Sequence, residues 1–179
     1  MGSESGKSAS LFTDFAGCYL PNISAQRSSF MFVDPTRSIK SATYRARLEA
    51  MLLIPVDSSD ERIHTLIAAG FKSDSVSRLL ELGIISAAVR DQIIPYTTLK
   101  RRLARGQRLS ASESDRLFRI ARVIAMAGVV FGDEEKAKRW LSTSKCCFSG
   151  KNPLAMLTTF QGSYLIEEML NQAAEGFTF

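Results

Sequence analysis

The chain has 179 residues, of which 45% are hydrophobic and 23% are charged. That balance is typical of a globular protein and excludes a fibrous or wholly disordered chain. No apolar run approaches the roughly 20 residues that cross a bilayer, and the N-terminus lacks the basic and apolar segments of a signal peptide. We therefore expect a cytoplasmic protein with no membrane partner.

The net charge of +5 is unevenly distributed along the chain. Residues 1–110 contain 15 Lys and Arg against 10 Asp and Glu, whereas residues 111–179 contain 8 of each. The window 72–108 alone carries 8 against 3. A phosphate-binding surface requires such a local excess, because each neutralised phosphate releases condensed counterions. This window is therefore where a nucleic-acid site is expected.

Residues 1–40 are rich in Ser and Gly and carry scattered aromatic residues without a sustained period. We expect a flexible, poorly ordered leader there. From Ser41 onward apolar residues recur at helical spacing and no segment reads as a strand, which predicts an all-α fold. The first expected helices start at Ser41, at Asp60 as an N-cap, near Ser75, at Ser86 and at Pro95.

The segment PYTTLKRRLARG, residues 95–106, predicts the recognition helix of a helix-turn-helix. The helix before it runs from Ser86 to Ile93, and Ile94 and Pro95 form the turn. Leu99 and Leu103 are four apart and are expected to face the core, which leaves a polar and cationic arc exposed. The candidate DNA-binding residues are Thr97, Thr98, Lys100, Arg101, Arg102, Arg105 and Arg108.

The position of each residue along the helix predicts whether it contacts base edges or phosphates. Thr97, Thr98 and Lys100 lie near the N-terminus of the helix, the part that reaches base edges, while the arginines are placed to contact phosphates. Most charge runs are only solvated helix faces. The preceding helix, the turn and the local charge excess together favour DNA binding over that simpler interpretation.

Ser110 and Glu113 form a capping box that predicts a new helix running to about Phe131. That helix is almost wholly apolar from Val123 to Phe131, which is typical of a helix buried on several sides and suggests a dimer seam. Asp133 is expected to cap the next helix, and Asn152 and Pro153 begin another that includes Phe160. Gly162 and Ser163 are then expected to separate this helix from a last helix, which ends at Gly176.

The sequence offers no catalytic residues, metal site or cofactor motif. His64 is the sole histidine and has no nucleophile context, so a structural or surface role is expected. Glu167 and Glu168 are adjacent and point in different directions on a helix, which makes them a poor catalytic pair. No cluster of His, Cys and carboxylates has metal-ligand spacing. A non-enzymatic protein is predicted.

From about Tyr44 to the C-terminus the chain resembles the Xre-type antitoxins of RES/Xre toxin–antitoxin systems. The matching blocks stand in that family's order with its spacing. They are DQIIPYTTLKRRL, LSASESDRLFRIARVIAMA, VFGDEEKAKRWL, NPLAMLTTFQGSYLIEEML and EGF. The blocks also resemble the wider Xre/MbcA/ParS toxin-binding family.

The resemblance implies a dimeric antitoxin that neutralises a cognate RES-domain toxin, an enzyme that degrades NAD. It further implies repression of the chain's own operon through the helix-turn-helix, with the C-terminal domain covering the active-site entrance of the toxin. A frayed terminus is the simpler interpretation of the tail, but two phenylalanines flanking Thr178 favour partner contact. The expected toxin-binding residues are Tyr164, Glu168, Gly176, Phe177, Thr178 and Phe179.

We accordingly expect three parts: the leader 1–40, a DNA-binding domain over 41–110, and a toxin-binding and dimerisation domain over 111–179. Two alternatives remain open. One is a protein-binding adaptor whose basic helix docks an acidic partner without DNA. The other is a general transcription regulator without a toxin partner, responding to a small molecule, for which the sequence shows no pocket signature.

Overall fold

A computed structural model describes residues 41–175 of the chain, so the predicted leader and tail lie outside the described residues. The described range is helical, with an isolated β-bridge between Lys72 and Arg108, and the predicted all-α fold is confirmed. No helix in this range is long and apolar enough to cross a membrane. The α-helices are α1 (Ser41–Leu52), α2 (Asp60–Ala69), α3 (Asp74–Glu81), α4 (Ala87–Ile93), α5 (Tyr96–Ala104), α6 (Ala111–Phe131), α7 (Glu134–Ser142), α8 (Pro153–Met156) and α9 (Phe160–Ala174).

Helix α6 is the centre of the fold and contacts α1, α2, α4, α7 and α9. It begins with the predicted capping box: the Ser110 hydroxyl accepts from the Glu113 amide, and the Glu113 carboxylate accepts from the Ser110 amide. Such a reciprocal cap satisfies two N–H groups that would otherwise lack partners and so fixes where the helix starts. The helix ends at Gly132, which adopts the left-handed conformation that an L-residue disfavours.

The two ends of α6 hold different parts of the chain. Near its start, the Ser114 hydroxyl accepts a hydrogen bond from the Phe71 amide at 2.9 Å, and Arg116 donates to the Ile93 carbonyl. Further along, Arg122 pairs with Glu167 of α9 at 3.0 Å. One rigid helix therefore fixes the elements that precede it in the chain to those that follow it.

The apolar segment of α6 is buried within the chain itself. Val123, Ala125, Met126 and Ala127 have no exposed surface. Gly128 lies against α1, where the guanidinium of Arg47 occupies the space that a Cβ would take. Packing within the chain covers most of this segment, but Ile124, Val129 and Val130 are only half-buried, so the dimer seam stays a prediction.

Two predicted helix starts are wrong by a few residues. Helix α2 is capped by Ser59 rather than Asp60, since the Ser59 hydroxyl accepts from the Arg62 amide. Helix α9 begins at Phe160, before Gly162, because the Thr159 hydroxyl caps it by accepting from the Gly162 amide at 3.0 Å. Gly162 is needed for close packing, not for a chain reversal: a Cβ there would overlap the Met156 carbonyl oxygen.

Candidate functional site

Helices α4 and α5 form the predicted helix-turn-helix. The Ser86 hydroxyl caps α4 by accepting from the Val89 amide, and Ile94 is extended and fully buried. Pro95 is the N-cap residue of α5, one position before the predicted first turn, and its carbonyl accepts from the Leu99 amide at 2.9 Å. Proline is tolerated there because an N-cap residue needs no N–H to hydrogen-bond within the helix. The turn is thus short and anchored by a buried side chain.

Helix α5 presents a cationic face to solvent. Thr97, Lys100, Arg101 and Arg105 are exposed, and Thr98 is half-buried. Among the residues that the structure describes, Lys100, Arg101 and Arg105 have no ion-pair partner. Unpaired charges on one helix face are available to neutralise phosphates.

Arg102 and Arg108 are already engaged within the protein. The Arg102 guanidinium pairs with the Glu113 carboxylate at 3.0 Å and donates to the Arg108 carbonyl at 2.6 Å. Arg108 donates from Nε to the Gly70 carbonyl at 2.7 Å. These contacts fasten the end of α5 to the start of α6 and to the end of α2. To contact DNA, these two arginines would have to break these internal contacts or make the DNA contact in addition to them.

Leu103 does not face the core as expected. Leu99 is 2% exposed, whereas Leu103, one turn later, is 38% exposed. The helix ends at Ala104, so its last turn extends beyond the surface that covers Leu99. Periodicity gives the direction of a side chain but not how far along the helix the core continues.

Tyr96 is exposed on the same helix but was not among the predicted DNA-binding residues. It is the first residue of α5, is 55% exposed, and stacks beneath the Arg90 guanidinium, whose Cζ lies 4.9 Å from the ring centroid. Arg90 is itself held by two hydrogen bonds to Asp91. In the sequence, Tyr96 follows directly after the proline of the turn. This end of the recognition helix points towards the bases in a helix-turn-helix, so an aromatic residue there is a candidate for DNA contact.

The second candidate surface lies on α9. Ile166 and Leu170 are buried, while Tyr164 is 53% exposed and Glu168, one turn further, is half-buried. The structure therefore brings Tyr164 and Glu168 onto one face. The other predicted toxin-binding residues, Gly176, Phe177, Thr178 and Phe179, lie outside the described residues.

A polar cluster is buried where α1, α6 and α9 meet. Arg122 pairs with Glu167, and Tyr44 lies in the same region. Burial raises the pKa of the Glu167 carboxyl, and the Arg122 charge offsets part of that effect. Burial likewise raises the pKa of the Tyr44 hydroxyl to about 12, so that it stays protonated and uncharged at neutral pH.

The described residues hold no group of His, Cys, Asp and Glu that could ligate a metal ion. His64 is exposed on α2 and, in the same range, has no ion-pair partner. Within the described range, two surfaces are therefore the candidates for binding a partner: the cationic face of α5 and the outer face of α9.

Comparison with known proteins agrees with this arrangement. Residues 62–122 match the family described as the antitoxin Xre-like helix-turn-helix domain, and residues 126–176 match the antitoxin Xre/MbcA/ParS C-terminal toxin-binding domain. A relative, Antitoxin Xre of Pseudomonas putida, is 50% identical over 153 residues, which cover 86% of this chain and 96% of that protein.

Fold, surface and comparison together define an all-helical DNA-binding protein in which a helix-turn-helix is followed by a toxin-binding domain. The chain belongs to the Xre antitoxin family.

The bracing role of Arg102 is testable against its neighbour. We expect Arg102→Ala to lower the free energy of unfolding by about 1–3 kcal/mol, because it removes charge-assisted hydrogen bonds to Glu113 and to a backbone carbonyl. Arg101→Ala is the matched control, expected within about 0.5 kcal/mol of the parent because its side chain is exposed and unpaired. Urea denaturation measures both, and equal stability of the two variants would contradict the bracing role.

The buried carboxyl predicts a pH dependence. A carboxyl with a raised pKa in the folded state contributes its full stability when protonated, below its unfolded pKa, and loses it as the pH rises through the folded pKa. Glu167→Gln stays neutral and keeps an oxygen to accept from Arg122. We therefore expect the stability of Glu167→Gln relative to the parent to increase as the pH rises above 4.5, the ordinary pKa of a Glu carboxyl.

Urea denaturation at several pH values measures this difference. Glu168→Gln is the matched control, because the neighbouring carboxylate has no ion pair within the described range. If the two variants followed the same pH dependence, burial of the Glu167 charge would not be its cause.

Proposed function

We propose that this Xre-family antitoxin neutralises a RES-domain toxin, an enzyme that degrades NAD, and represses its own operon. The observation that carries the proposal is the presence, in one chain, of a helix-turn-helix with unpaired cations and of a domain matching a toxin-binding family. The sequence blocks shared with RES/Xre antitoxins support the choice of toxin. In this proposal residues 41–110 bind DNA and residues 111–179 bind the toxin.

The DNA-binding role falls to α5. Arg101 and Arg105 are exposed and have no ion-pair partner within the described range, so they can contact phosphates without first breaking an internal contact. Thr97, Thr98 and Lys100 lie nearer the start of the helix and are assigned to base edges. We add Tyr96 to that group, since its ring is exposed and oriented by Arg90.

Operator binding by this motif favours two copies of the chain. Helix-turn-helix proteins bind as dimers whose recognition helices enter major grooves one helical turn apart. We propose a homodimer on the operator, in the cytoplasm, where the DNA and the toxin would both be encountered. Within the apolar segment of α6, Ile124, Val129, Val130 and Phe131 are only half-buried and are the residues available to such a contact.

The toxin-binding role falls to α9 and the residues after it. Tyr164 and Glu168 share one face of α9, and the tail of Gly176, Phe177, Thr178 and Phe179 follows in the sequence. We propose that this set binds the toxin and that the tail covers its active-site entrance. The chain then acts by occlusion and needs neither a catalytic residue nor a cofactor.

A protein-binding adaptor remains the second candidate. The cationic face of α5 supports it as well as it supports DNA binding, because an acidic protein surface would also be attracted. The two candidates differ in how α5 variants behave towards DNA and towards the toxin.

The DNA assignment predicts a salt-dependent loss. We expect Arg101→Ala to weaken binding to the promoter fragment upstream of the gene by about tenfold, and to reduce the salt slope by about one per protomer, since one phosphate contact is lost. Arg139→Ala on α7 removes the same charge from another exposed helix and serves as the control. Fluorescence anisotropy at several salt concentrations measures both.

Toxin capture by the Arg101→Ala variant should be unchanged. If that variant instead released the toxin, and no promoter fragment bound the parent chain, the adaptor would be the correct function.

The toxin assignment is tested by co-expression with the product of the adjacent gene. We expect that product to arrest growth alone, and the full chain to restore growth and to co-purify with it. A chain lacking residues 176–179 should lose protection, because the tail is assigned to the active-site entrance. A harmless neighbour that does not co-purify would overturn the toxin assignment and leave the DNA-binding role intact.

A further inference from the structure

Two aromatic side chains project from the first turns of α9. Phe160 is 75% exposed and Tyr164 is 53% exposed, and they are four residues apart on the same helix face. They are the large hydrophobic residues that the structure leaves exposed between Ala111 and Glu175. The sequence pattern predicted Phe160 in the preceding helix. Because α9 begins at Phe160, the side chains of Phe160 and Tyr164 share one face of the same helix.

The backbone that carries Phe160 is fixed before any partner arrives. Thr159 caps the helix, and the Ser163 hydroxyl donates to the Thr159 carbonyl at 3.1 Å. Gly162 packs against the Met156 carbonyl so closely that no larger residue fits. A rigid site pays little ordering entropy on binding, which favours high affinity for a given contact area.

The chemistry of this face indicates the kind of partner it fits. The exposed residues nearest to Phe160 in the sequence, Thr158, Thr159 and Gln161, are uncharged, and the next residue along the helix face after Tyr164 is Glu168. Interface centres are typically rich in aromatic residues and poor in charge, with charged groups at the rim. The matching surface would be an apolar depression with a basic group at one edge.

We propose that Phe160 and Tyr164 form an aromatic anchor pair by which this chain recognises the body of its toxin. The inference rests on the proposed function and deepens it. The toxin is the occupant because the pair lies inside the segment that matches a toxin-binding domain, and because the same face includes Glu168, which is assigned to the toxin in the proposed function. The anchor pair provides affinity and selectivity for the body of the toxin.

The anchor pair predicts a loss of affinity without a loss of fold. We expect Phe160→Ala and Tyr164→Ala each to weaken binding of the full chain to the product of the adjacent gene by about tenfold or more, as for exposed aromatic hot spots. Thermal unfolding should be unchanged, because neither ring is part of the core. Binding to the promoter fragment should also be unchanged.

The matched control is Leu82→Ala, since Leu82 is 61% exposed and lies at the end of α3, outside the toxin-binding segment. It should bind the toxin like the parent. Titration calorimetry with the purified toxin measures all three variants, and analytical ultracentrifugation measures the mass of each chain alone.

The possible outcomes distinguish failure of the anchor pair from failure of the proposed function. Parent-like toxin affinity in both aromatic variants would overturn the anchor pair and leave the proposed function standing. A fall in the mass of the free chain with unchanged toxin affinity would assign the face to a second copy and overturn the anchor pair too. Failure of the parent chain to bind the toxin would overturn the proposed function itself.

Discussion

The burial of α6 is the constraint on which the rest of this structure depends. A helix segment that is apolar on most sides is stable in water only when neighbours cover it. Here α1, α2, α4, α7 and α9 pack on α6, and they come from both sides of it in the sequence. The outer face of α9 is therefore held on α6 by packing, while the cationic face of α5 is tied to the start of α6 by the Arg102–Glu113 ion pair.

Polar contacts set the register of this assembly. The Arg122–Glu167 pair joins the last residue of the helix-turn-helix match to the toxin-binding match. A largely buried ion pair costs desolvation energy, so we infer that it contributes more to the specific placement of α9 on α6 than to net stability. Arg47 and Glu134 form a second link between α1 and α7.

The arginines around α5 show how one residue type serves two purposes. Arg102 and Arg108 brace the end of α5 against neighbouring carbonyls and Glu113, whereas Arg101 and Arg105 have no ion-pair partner in the part of the chain that the structure describes. Bracing matters for DNA recognition because a recognition helix must be held in a fixed orientation before its side chains can reach bases. The division of the chain at residues 110 and 111 stays a prediction, because Glu113 and Ser114 at the start of α6 support the elements before it.

The sequence by itself determined the helical class, the turn at Ile94 and Pro95, and the capping box at Ser110, because these depend on local spacing and on side chains bonding to nearby backbone. Thr159, the N-cap that starts α9, is also a local signal of this kind. Only the tertiary structure decided which arginines are engaged within the described range, that Leu103 is exposed, and that Gly162 packs against the Met156 carbonyl. Each of these outcomes depends on a contact with another element, and helical periodicity carries no information about such contacts.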